Sequence, residues 1–61
     1  MTEETFNDKK DMILSRFNSA MKAKCWRTAK ARLRDYAKLQ SEFYSLDYEQ
    51  TYNDLLKGAG L

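Results

Sequence analysis

Sixty-one residues with no histidine, no proline, one cysteine and two glycines exclude a disulfide-stapled or zinc-stapled domain and leave little material for catalysis. Eleven basic and nine acidic side chains sum to +2, and three Phe, four Tyr and one Trp are more aromatics than a disordered chain carries. The longest apolar run, Met12-Ile13-Leu14, is too short for a membrane span, and the acidic start lacks the features of a secretion signal.

A chain of this length makes one domain at most, residues 1–61, and hides only about 60% of its unfolded surface. Nothing breaks the chain before Gly58 and Gly60, so helix is the regular structure its composition favours. The expected fold is all-α, a small three-helix bundle made of a helical hairpin plus a short C-terminal helix, with helices over residues 4–23, 26–45 and 47–58.

The first helix is expected to start at Thr2 or Thr5. Thr5 with Asp8 three residues on fits a capping box, and Glu3, Glu4 and Asp8 suit the helix dipole. Phe6, Ile13, Leu14, Phe17, Ala20 and Met21 then share one face at helical spacing. Lys10 falls on the same face and is expected to snorkel outward.

The second helix places Trp26, Ala29, Leu33, Tyr36, Ala37, Phe43 and Tyr44 on one side, with Gln40 as a polar intruder. Between the two helices no glycine, proline or asparagine marks a turn at Ala23-Lys24-Cys25. One continuous helix over residues 5–45, roughly 60 Å long, would have to hide its apolar stripe in a coiled-coil-like dimer. That long-helix dimer is the alternative fold, although its apolar spacing keeps no strict 3.5-residue register.

The stretch from Met21 to Ala29, with Trp26 just past the junction and Ala29 three residues later, resembles the bend between paired helices of tetratricopeptide-type repeats. The resemblance implies a hairpin at residues 23–25, with the aromatic plugging its open end and the alanine letting the backbones approach. It covers about twenty residues, lacks the usual glycine and is not followed by a second repeat, so it assigns no family.

The third helix opens at Asp47, with Gln50 completing a capping box. Tyr48, Tyr52, Leu55, Leu56 and Ala59 form its face, and the glycines end it.

Charge is segregated along the chain. Between Arg16 and Lys38 stand eight basic residues and one acidic residue, Asp35, whereas residues 1–15 sum to −2 and residues 39–61 to −3. Arg27, Lys30, Arg34 and Lys38 recur at spacings of three, four and four. At 100° per residue they fill an arc of about 80° and a line about 16 Å long. Lys22 and Lys24 extend the same charge into the turn, while Arg32 points elsewhere as a rim residue.

Such a row suits an acidic protein surface or a phosphate backbone, and it also suits a plain solvated face, partly neutralised by Glu42, Asp47, Glu49 and Asp54. Base-reading Asn or Gln is missing from it. Tyr44, Tyr48 and Tyr52 are a further candidate interface, aligned if the second helix continues into the third. Trp26 is expected in the core, in phase with Leu33.

Catalysis, cofactors and metals are not expected. No histidine titrates near neutrality, Cys25 has no imidazole base, and two glycines near the end cannot build a phosphate loop. Asp47 and Glu49, two residues apart, point to different sides of a helix. The expectation is therefore a small cytoplasmic accessory or regulatory protein, of the kind phages encode as modulators or inhibitors. Its partner would be another macromolecule, first a protein with an acidic surface, alternatively nucleic acid bound without sequence preference. No membrane is involved, and a homodimer remains open.

Overall fold

The computed structural model describes residues 1–61. Three helices follow one another, α1 (Glu3–Lys22), α2 (Trp26–Tyr44) and α3 (Tyr48–Ala59), and there is no strand. The chain is thus a small three-helix bundle in which α1 and α2 form the hairpin and α3 is the short last helix. No helix is long and apolar enough to cross a membrane.

Side-chain caps start α1 and α3. The Thr5 amide donates to the Thr2 hydroxyl (3.2 Å), so Thr2 is the cap, and Thr5 lies inside the helix, its Oγ1 accepting the Thr2 hydroxyl at 2.9 Å. At α3 the Gln50 amide donates to the Asp47 carboxylate (3.1 Å). Gln50 Nε2, however, bonds forward to the Asp54 carboxylate (3.1 Å), and only half of the capping box forms.

All three helices end on a left-handed residue and a bond back to the carbonyl five residues earlier. After α1, the Cys25 amide reaches back to the Ala20 carbonyl (2.9 Å) and the Lys24 amide to that of Met21 (3.1 Å). This is the paired bonding of a Schellman motif, which needs a left-handed residue one position past the cap. Lys24 supplies it at φ 57°. Ser45 does the same at φ 56°, with Leu46 donating to Ser41 (3.0 Å). At that end the Ser45 amide also donates to Ser41, so α2 lacks the second bond of the pair; only α3 uses glycine, Gly60 at φ 74°, where Leu61 donates to Leu56 (2.9 Å). The hairpin turn therefore forms without a turn residue in the sequence, and the long continuous helix does not form.

Short connections make consecutive helices antiparallel. At one end of the hairpin Phe6 stacks on Phe43 with ring centroids 4.3 Å apart. Tyr44 meets both rings edge-on, at 5.4 and 5.0 Å. Lys10 is half-buried and holds its Nζ 6.0 Å from the Phe6 ring centre, a cation–π contact that lets its stem cross the apolar face.

The core is thin. Six residues are buried, namely Phe6 and Ala20 from α1 and Ala29, Leu33, Ala37 and Leu39 from α2, with none from α3. Both outer helices lie against α2, and no Cα of α1 comes within 8 Å of one in α3. The result is a flattened body, 32 × 23 × 14 Å. Its accessible surface of 4443 Å² exceeds the ~4,100 Å² usual for a monomer of its mass.

Two packing features depart from the sequence pattern. Leu39 is buried although it lies off the main α2 face, because a helix flanked on two sides covers a wider arc than one stripe. Trp26, expected as the core plug of the hairpin, is 46% exposed. The Schellman turn needs only backbone bonds, and Ala20 and Ala29 are the residues buried at this end of the hairpin, so the indole is left at the edge of the helix interface.

Two predictions follow from these terms. Lys24→Gly relieves a left-handed side-chain residue and should stabilise the protein by about 1 kcal/mol, raising the thermal midpoint by about 4–8 °C; an unchanged or lower midpoint would show that Lys24 is not held in that conformation. Leu33→Ala should cost about 2–5 kcal/mol, against a total of about 3–9 kcal/mol for a chain this long. Circular dichroism should then show most of the helix signal and the cooperative transition lost.

Candidate functional site

The α2 row is built by one register. Ala29, Leu33 and Ala37 are buried, and the next residue after each, Lys30, Arg34 and Lys38, is exposed. A step of 100° carries the chain from the packed face to solvent each time. Arg27 joins the row from the first turn and is likewise exposed, as are Lys22 at the end of α1 and Lys24 in the turn.

None of these six cations is paired. The single ion pair in the protein is Arg32 with Asp35, at 3.6 Å. Glu42, Asp47, Glu49 and Asp54 all lie more than 4.0 Å from the row's charged nitrogens. Arg32 is half-buried at the rim, its Nε covered and without a hydrogen-bond partner. The first turn of α2 holds no acidic residue.

Beside the row lies a cavity of about 350 Å³. Met21 of α1, Trp26 and Lys30 of α2, Ala59 at the end of α3, and Gly60 and Leu61 after it line it. Lys30 belongs to both features. A second, shallower depression of about 290 Å³ runs between α1 and α3, with Leu14 and Phe17 on one side, Leu55, Gly58 and Ala59 on the other, and Leu33 and Tyr36 beneath. Asp54 is its only charged lining residue. This depression lies where the backbones of the outer helices stay more than 8 Å apart, Cα to Cα.

The three tyrosines are not one ladder. α2 stops before Ser45, so Tyr44 stays with Phe6 and Phe43. Tyr48 and Tyr52 stack on α3 at 6.2 Å. Tyr44 and Tyr48 are exposed and Tyr52 is half-buried. Met12 and Leu46 add further exposed apolar side chains.

Periodicity alone located the cations, but not the cavity. Leu61 was outside every predicted face, and its clue was an apolar residue directly after a helix-stopping glycine, the position that folds back onto the last turn in a Schellman motif. No three His, Cys, Asp or Glu side chains gather into a metal-binding group. Compared with protein-family models, curated proteins and solved structures, the chain matches none.

Tyr36, under the depression, has its phenol pushed above its ordinary value of 10.0, first by burial and then by the neighbouring Tyr44. Below pH 10 both folded and unfolded chains keep this proton, and the group adds no pH dependence. Above it the unfolded chain loses the proton first, so stability should fall as pH rises toward the folded value. Absorbance titration should show a phenol ionising above its ordinary value that Tyr36→Phe removes; a titration curve whose late part is unchanged in Tyr36→Phe would contradict this burial.

Proposed function

We propose that this protein is a non-catalytic helical binding module that attaches to an acidic surface of another protein through α2. The observation that supports this reading is the unpaired row of Arg27, Lys30, Arg34 and Lys38, exposed together and flanked by Lys22 and Lys24. A row held on one helix needs no backbone ordering on binding and sets register by charge. Exposed Trp26, which shares a cavity with Lys30 of the row, is of the type that anchors protein interfaces. Such a module acts by occupancy, as an accessory factor or as an inhibitor that covers its partner's acidic patch. The unpaired Cys25 suits a reducing compartment such as the cytoplasm.

Binding to nucleic acid is the second reading, favoured by one observation: exposed Trp26 sits among Lys22, Lys24, Arg27 and Lys30, which resembles a stacking platform in a basic groove. The acidic flanks and the short row weigh against it, because a phosphate backbone extends beyond both.

The test is a pair of charge reversals, Arg27→Glu and Arg34→Glu, in one tagged chain. The partner captured by the unaltered chain should be lost, by at least ~10-fold in affinity, since like charges brought together cost more than the ~1.4 kcal/mol that tenfold represents. Helix content should not change. Retained capture would refute the row as the binding face. Saturable binding of random duplex or RNA at about 50 mM salt, lost in the same variant, would select the second reading.

A further inference from the structure

We infer that the cavity between Trp26 and Leu61 is the anchor point for the partner, and that the partner presents an acidic peptide segment carrying one bulky apolar side chain. The apolar side chain seats against Trp26, Met21 and Leu61, and the flanking carboxylates lie along Lys30, Arg27 and Arg34. This inference rests on the proposed attachment through α2 and adds the chemistry of the segment that attaches.

Three observations carry it. The cavity, about 350 Å³, falls within the size range of sites that hold small ligands and side chains. Its single charged lining residue, Lys30, is a member of the cationic row, so the apolar site and the charge are continuous. No Asp or Glu side chain lines the cavity or pairs with the row, and the row's four cations make the combined surface complementary to an anion. The depression between α1 and α3 lacks this match, because its one charged residue is Asp54.

Trp26 is the sole tryptophan, so its emission reports on the cavity directly. The probes are two labelled peptides rich in Asp and Glu, each of about ten residues, long enough when extended to span the row. One carries a central leucine and the other a serine in its place. The leucine peptide should bind at least about tenfold more tightly, the return from burying one such side chain, and should shift Trp26 emission to the blue. The serine peptide should bind weakly and leave the emission unchanged.

Trp26→Ala, at an exposed position, should remove the leucine advantage while weak salt-sensitive binding persists. Ala59→Phe fills the cavity from the opposite wall and should do the same with Trp26 retained. Lys30→Glu should weaken both peptides. Equal binding of the two peptides, with emission unchanged, overturns the anchor and leaves α2 as the attachment face. Failure of both peptides, together with partner capture insensitive to the Arg27→Glu and Arg34→Glu pair, overturns both conclusions. A blue shift that grows with protein concentration alone, alongside a doubled mass in light scattering, would give the cavity to a second copy and overturn the inference. Quenching by a single-stranded oligonucleotide that outcompetes the leucine peptide would overturn it as well.

Discussion

Burial of Ala29, Leu33 and Ala37 along one row of α2 is the contact on which the other two helices depend, because α2 is the helix whose backbone comes close to both of the others. The two outer helices stay more than 8 Å apart, Cα to Cα, so each is held through its contact with α2. Small residues at positions 29 and 37 let a neighbouring backbone approach closely, and Leu33 between them supplies most of the apolar area. A chain with so few buried residues has little reserve. The aromatic cluster of Phe6, Phe43 and Tyr44 closes the far end of the hairpin and spreads the load over α1 and α2, but α3 buries no residue fully. α3 is therefore the element whose local opening costs least.

The same register that builds the core presents the cations. A helix that buries positions 29, 33 and 37 must expose positions 30, 34 and 38 about a quarter-turn further round, and those positions carry Lys, Arg and Lys. Packing and presentation are thus one constraint, and the row cannot turn inward without unpacking α2. Binding would in turn stabilise the fold by mass action, since a partner that recognises the row recognises only the folded helix.

Openness has a second consequence. Three helices in a flattened layer leave more surface than a closed bundle would, and part of it is apolar: Met12, Trp26, Tyr44, Leu46 and Tyr48 are exposed. Isolated exposed apolar side chains are ordinary on small proteins. Trp26 differs because it walls a cavity and stands among cations, where apolar and electrostatic complementarity can act on the same partner.

Much of this protein follows from sequence through short-range physics. The lack of internal proline and glycine specifies helix, the spacing of Ala29, Leu33 and Ala37 specifies the inward face of α2, and the spacing of Arg27, Lys30, Arg34 and Lys38 specifies a cationic row, because each depends only on 100° per residue. Asp47 as a helix cap was legible for the same reason, whereas the choice of Thr2 over Thr5 was not. Tertiary structure alone decided that Lys24 and Ser45 take left-handed backbones that no sequence signal announces, since the gain from packing α1 and α3 on α2 outweighs about 1 kcal/mol of local strain at each. It also decided that Leu39 is covered, that Trp26 is not, and that Leu61 returns to wall a cavity. These outcomes depend on where neighbouring helices end, a distance set by the whole fold and not by the periodicity of any one segment.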